Sequence, residues 1–198
     1  YLILSVGSLL PVKSMNELLA EAQKKPGALV LSTSGGFMHF ASALFQSVTK
    51  RKYNIVVYKG GFPAMMDVIS GQAHMHLAVS VPAIPHLKSG RLRGLAVGLP
   101  QRAVLLPDIP TFDETGVKGY EAANWYAIAA PRGTPRPVVA KLHKEIAAYF
   151  TSRDMQQKMT NMGAVVDIKN ADQMRKIIPA EVTKWTRIAR EAGMPKEQ

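Results

Sequence analysis

Apolar and polar positions along this chain repeat with two periods, and the helical one is clearest over residues 37–48. Phe37, Phe40, Ala41, Leu44, Phe45 and Val48 fall at i, i+3, i+4, i+7, i+8 and i+11, one apolar face of a helix. Ser14 followed by Glu17 reads as a capping box opening an earlier helix, with Leu18, Leu19 and Ala22 as its stripe and Pro26-Gly27 as its stop. Short apolar runs separate such segments. Leu29-Val30-Leu31, Ile55-Val56-Val57-Tyr58, residues 74–79 and residues 92–97 read as buried strands, with helices after Pro63, ended by Gly71, and over 82–89. The opening run Tyr1-Leu2-Ile3-Leu4-Ser5-Val6 also reads as a buried strand. It is far shorter than the about 20 apolar residues that span a bilayer, and it lacks the basic start and cleavage site of a signal peptide. Strands alternating with helices through short Gly-rich links predict an α/β fold, a parallel sheet covered by helices.

The alternation loosens further on. Thr111 with Glu114 is a second capping box, whose helix would close at Gly116. Residues 122–130, carrying Trp125 and Tyr126, read as a long strand, and a helix follows Thr134-Pro135 with Val138, Val139, Leu142, Ile146 and Phe150 on one face. A further short helix, Gly163 and a strand at Val165-Val166 precede a long last helix with Ile177, Ile178, Val182, Trp185 and Ile188 inward. Pro179 should bend that helix by removing one backbone donor. No repeat or flexible linker is evident; a domain boundary, if present, lies in the extended segments near Val6 and Tyr120.

Composition narrows the function. The chain has 198 residues, 47% hydrophobic and 20% charged, which is too apolar for a disordered segment. Zero cysteines exclude a disulfide scaffold, a thiolate zinc site and a cysteine nucleophile. The net charge is +11, spread evenly: twelve basic and seven acidic side chains lie in residues 1–121, thirteen and seven in residues 122–198. The only tight basic run, Lys50-Arg51-Lys52, sits at a helix end, where it complements the helix dipole. Without a basic arm or a helix-turn-helix, zinc-finger or RNP-like pattern, this charge points to a small anionic ligand and away from nucleic acid.

The segment Ser32-Thr33-Ser34-Gly35-Gly36, between a strand and a helix, is the most informative local feature. Such a turn aims backbone N–H groups and the positive end of a helix dipole at one point, which suits a carboxylate, phosphate or sulfate. An ordinary βα turn with a serine cap looks the same. It is neither a phosphate-binding P-loop, since no Gly-Lys-Ser/Thr follows, nor a nucleophile elbow. Tyr58-Lys59-Gly60-Gly61 ends the next strand, where open α/β sheets collect ligands, although a surface turn with a solvated lysine fits equally. His39, in the first turns of the adjacent helix, positions the turn or contacts the ligand. His74 and His76 share a strand face, a metal-chelating spacing with no third ligand in sight, so no metal is expected. No nucleophile, base, carboxylate pair or cofactor motif supports an enzyme.

The order of landmarks resembles a known family. Ser14…Glu17-Leu18, Lys25-Pro26-Gly27, Ser32…Gly35…His39-Phe40-Ala41, Tyr58-Lys59-Gly60-Gly61, Gly71-Gln72, Gly90-Arg91-Leu92-Arg93, Leu106-Pro107-Asp108-Ile109-Pro110-Thr111, Gly119-Tyr120-Glu121, Trp125, Ala130-Pro131-Arg132-Gly133-Thr134-Pro135 and Ala192-Gly193 look like the Bug family, the solute-binding proteins of tripartite tricarboxylate transporters. The resemblance runs through the whole chain. It implies a two-lobed clamshell of the periplasmic-binding-protein (Venus flytrap) type, each lobe a sheet flanked by helices. Residues 7–119 would form a complete second lobe. Residues 1–6 and 120–198 would be crossover strands and the C-terminal part of a first lobe that is incomplete here. The function implied is periplasmic capture of a small organic carboxylate, with no cofactor and no direct membrane insertion, for delivery to membrane permease subunits; an export signal would lie upstream of Tyr1. Ligand contacts would come from Ser32, Thr33, Ser34, Gly35, Gly36, His39, Tyr58, Lys59, Gly60, Val79, Ser80 and Trp125. Several positions depart from the family: one hydroxyl is moved in the Ser32–Gly36 turn, Ala78-Val79 stands where many members have Asp-Asn, and His74 replaces a common Asp. The pocket should therefore favour a plain or partly apolar carboxylate over an amino acid. The competing reading is the effector-sensing domain of a transcriptional regulator that detects a small organic acid. In the bare chain, the inward faces of residues 138–150 and 177–188 should be left exposed.

Overall fold

A computed structural model describes residues 1–120 and 122–194. Glu121 of the Gly119-Tyr120-Glu121 landmark and the last four residues of the segment expected in the first lobe lie outside the described residues. The elements are β1 (Leu2–Gly7), α1 (Met15–Lys24), β2 (Val30–Thr33), α2 (Phe37–Thr49), β3 (Asn54–Val57), α3 (Gly61–Ser70), β4 (Met75–Val79), α4 (Ser80–Lys88), β5 (Leu92–Val97), α5 (Arg136–Thr151), α6 (Arg153–Asn161) and α7 (Ala171–Glu191). The α/β class of the sequence reading holds.

The five strands form one sheet in the order β3-β2-β4-β1-β5. β2 runs parallel to β3 and β4, but β1 is antiparallel to both β4 and β5. The sheet is thus mixed, not parallel as expected. Alternation of strands and helices reports what separates two strands, not the direction from which the chain enters the sheet. β2 to β5 do run the same way, and only the opening strand is inserted against them. All six of its residues are buried. Its side chains alternate between two cores: Leu2, Leu4 and Val6 face the layer of α1 and α2, and Ile3 faces that of α3 and α4. Phe45 of α2 centres the first core, stacked on Tyr53 at 5.3 Å with Phe112 and Tyr120 edge-on at 6.1 and 5.9 Å. Burying each such side chain stabilises the fold by about 1.5–3 kcal/mol. Gly7 is required where α3 meets β1, since a Cβ there would overlap the Val68 carbonyl oxygen.

Three further expectations fail. Thr111 and Glu114 do exchange capping bonds, at 2.7 and 3.1 Å, but only a turn forms between them and Gly116, which is too short for a helix. Residues 122–130 are irregular, and so are Val165 and Val166. A strand exists through its ladder, and these segments meet no neighbouring strand among the described residues. Their apolar side chains stay in water, with Tyr126 86% and Ile128 75% exposed.

α5, α6 and the first half of α7 add little to either core. Leu142, Ile178 and Val182 are exposed, as expected of these faces in the bare chain, and only Met155 and Ile188 of these helices are buried. Ile188 belongs to the first core, with Trp185 and Met194 packed against it. The last turns of α7 therefore rest on the sheet domain, across the boundary expected near residue 120. Pro179 does lie inside α7.

Candidate functional site

Because β2, β3 and β4 run the same way, their carboxyl ends share one edge, and α2, α3 and α4 all begin there. None of these three helices has a side-chain cap or an acidic residue in its first turn; their N-caps are Gly36, Gly60 and Val79. Three helices elsewhere are finished differently. α1 is capped by Ser14, α6 by Ser152 and α7 by a complete Asn170–Gln173 box, each with an acid in its first turn. α5, with Pro135 at its N-cap, has neither. Among the described residues, the N–H groups of Phe37, Gly61, Phe62 and Val81 have no protein acceptor. This edge therefore presents unsatisfied donors and the positive ends of three helices.

The two nominated turns are neighbours. Thr33 pairs with Val57, and the Tyr58 N–H donates to the Thr33 carbonyl at 2.7 Å. Gly36 has φ 51°, and a Cβ placed on Gly36 or Gly61 would meet nothing within 4 Å, so the backbone here is open to close approach. Ser34 and His39 are half-buried beside it, and Lys59 is exposed and makes no ion pair among the described residues. Burial first, then the Asp67 carboxylate, push the Tyr58 phenol above its ordinary value.

Other nominated side chains are turned inward. Ser32 is fully buried, its hydroxyl donating to the Ala64 carbonyl at 2.9 Å, so it fixes α3 to the sheet instead of facing the edge. Ser80 is also buried and donates to the Gly163 carbonyl at 2.7 Å, tying α4 to the loop after α6. Thr33 is buried with its hydroxyl unpartnered. Val79 is half-buried, and Trp125 is partly exposed in the irregular segment. The two histidines are structural. His74 Nδ1 accepts the Val30 N–H at 2.9 Å, and His76 Nδ1 donates to the Ser32 carbonyl at 2.8 Å. Burial holds His76 below the usual imidazole range, so it stays neutral. Among the described residues no cluster of three His, Cys, Asp or Glu is arranged to hold a metal, and no helix is long and apolar enough to cross a membrane.

Some features escaped the sequence reading. Phe62, at 66% exposure, Val57 and Val81 leave apolar surface beside the free donors. A cavity of about 480 Å³, lined among others by Tyr1, Val104, Gln156 and Val165, opens past the end of β5 and includes none of the nominated residues. The donor edge is instead a shallow surface. At its α2 corner, Trp185 packs edge-on to Phe37 at 5.0 Å and against Phe40 at 6.4 Å. The aromatic in the apolar stripe of the last helix was visible in the sequence; its partner was not.

Comparison with known proteins gives a consistent picture. The family model described as the tripartite tricarboxylate transporter family receptor matches residues 2–194. Protein BugT of Bordetella pertussis is 30% identical over 194 residues, which are 97% of this chain and 60% of BugT. The structure of an R. palustris protein with adipate superposes with a TM-score of 0.88 at 34% identity, over 97% of this chain and 65% of that one. The periplasmic binding protein BugD superposes with a TM-score of 0.85 at 28% identity, over 99% of this chain and 67% of BugD. The chain thus spans 60% of the length of BugT, and 53% of that of a Pseudomonas sp. relative.

Proposed function

The chain belongs to the tripartite tricarboxylate transporter receptor family, and from that premise we propose that it is a periplasmic solute-binding protein that captures a small organic carboxylate and hands it, chemically unaltered, to the permease of such a transporter. One observation carries the ligand class. Of the helices that begin at the carboxyl edge of β2, β3 and β4, every one lacks both a cap and a first-turn acid. An acid there would occupy the donors internally, and its absence leaves them for an external anion. Lys59 adds a mobile positive charge. Residues 1–119 supply this wall as one lobe, because the opening strand pairs within its sheet, and most of residues 120–198 belong to the other lobe. The family match favours this role over an effector-sensing domain of a regulator.

The surroundings of the donors sharpen the ligand. Phe62, Val57 and Val81 are apolar and exposed, and no carboxylate stands in the first turns to receive an amino group. A carboxylate with an apolar chain or ring fits this rim better than an amino acid. The adipate described with the similar R. palustris protein is of that kind.

Calorimetric titration of the full-length protein with adipate, an aromatic acid and the matching amides tests the proposal. Acids should bind and amides should not, and ligand at 100 times the Kd should raise stability by about 2.7 kcal/mol. Ser34→Asp places a fixed negative charge at the α2 corner that a helix N-terminus accepts, so the fold survives while acid affinity drops at least about tenfold, or about 1.4 kcal/mol. Equal binding of amides, or an unchanged Kd in the folded variant, would sink the anion site.

A further inference from the structure

We propose that Trp185, remote in sequence from the donor edge, is a positioning residue that sets the first turn of α2 for the ligand; this rests on the carboxylate reading of that edge. The α2 corner is built from two consecutive glycines with positive φ, Gly35 at 78° and Gly36 at 51°, and it carries no side-chain cap. Glycines of this kind leave a turn free to move, yet a donor must be held in place to be useful to an anion. α1, α6 and α7 solve this with a capping side chain. At α2 the restraint comes from outside. Phe37 is the first residue of the helix and its N–H is one of the free donors; its ring meets the Trp185 indole at 5.0 Å and 80°, the edge-on geometry favoured by aromatic pairs. Phe40, one turn on, touches the same indole.

Trp185 is itself fixed. Its indole N–H donates to Glu181 at 2.8 Å, and Ile188, one turn later on α7, is buried in the first core. The preceding turns of α7 are exposed at Ile178 and Val182. The helix therefore grips the sheet domain only in its last turns, at the corner that offers a donor. The α3 corner has no such aromatic clamp, since Phe62 stands exposed there. The clamp links the C-terminal helix to one donor group, so occupancy of the edge and the seating of Trp185 influence each other.

The experiment uses the full-length protein, adipate as the probe and adipamide as the uncharged control. Trp185→Ala should weaken adipate binding about fivefold to tenfold at a temperature where circular dichroism shows the variant fully folded. Trp185→Phe, which keeps an aromatic face on Phe37, should bind within about twofold of the unsubstituted protein. In protein labelled with 5-fluorotryptophan, the ¹⁹F resonance that disappears in Trp185→Phe should move when adipate saturates the site and stay still with adipamide. A side chain that only packs the core would lower stability without that ligand-dependent shift. An unchanged Kd in folded Trp185→Ala, or a fixed resonance at saturation, overturns the inference; should Trp185→Ala not fold, the resonance decides alone. If the unsubstituted protein binds no carboxylate, the reading of the edge fails first and the inference falls with it.

Discussion

Residues 1–120 and residues 122–194 carry apolar patterns of similar regularity and put them to different use. In the first region Leu2, Ile3, Leu4, Leu18, Leu31 and Phe45 are wholly out of water, on the two faces of one sheet. In the second, α5 has no buried residue at all, although Val138, Leu142 and Ile146 repeat as cleanly as the stripe of α2. Periodicity is enough to shape a helix, but burial needs a second surface, and here that surface is the sheet. Where α7 reaches the sheet domain, Ile188 is buried; where it does not, Val182 is 60% exposed.

The contrast is open to measurement. Phe45→Ala should produce the largest effect, about 3–5 kcal/mol in denaturant unfolding, because Tyr53, Phe112 and Tyr120 cannot close the space it leaves. A loss below about 1 kcal/mol would mean the first core is much looser than its packing indicates. Gly163→Ala should come next, at about 1–3 kcal/mol, since its φ is 79° and a Cβ would overlap Ile84 Cδ1. Hydrogen exchange should then quicken in α6 while β1 and β4 keep their protection; uniform loss of protection would show that the two regions unfold as one.

A narrower effect follows from pH. His76 is held below its unfolded value of about 6.5, so it is neutral when folded and takes up a proton more readily when unfolded. Its contribution is complete above about pH 6.5 and falls away as the solution is acidified towards the folded value. Unfolding midpoints should be flat from neutral pH upward and decline below that point, and His76→Asn should remove part of the slope. An identical slope in the variant would assign the acid sensitivity to other groups. Smallest of all, Leu142→Ser in the 198-residue chain should change stability by no more than about 0.5 kcal/mol. A cost near that of Phe45→Ala would show the second region to be packed after all.

Local signals were the legible ones. The stripe from Phe37 to Val48, the Ser14–Glu17 cap and the stop at Gly71 act over a few residues, so they could be read directly. Even there the structure adds detail: Glu17 reaches the Lys13 N–H, not that of Ser14. The direction of β1 depends on β4 and β5, far along the chain, and no local pattern encodes it. Residues 122–130 have strand-forming side chains, but their state depends on a partner. At the donor edge the turns at Ser34–Gly36 and Tyr58–Gly60 were legible from glycines at strand ends. The inward hydroxyls of Ser32 and Ser80 were not, since which face a short side chain takes is decided by its neighbours. Phe62 was passed over because one exposed aromatic in a helix start looks like nothing until the missing caps around it are seen.

The antiparallel insertion of β1 also bears on the order of assembly. β1 lies between β4 and β5 and cannot complete its pairing until both have been made: Leu4 joins Leu77 on one side and Ala96 on the other. Closing such long loops before any ladder bond forms raises contact order and slows folding. Until then the Tyr1–Val6 run is an unpaired apolar segment of high strand propensity, the kind that seeds aggregation. A strand that can be completed only by segments made later stays dependent on whatever shields it until β5 arrives.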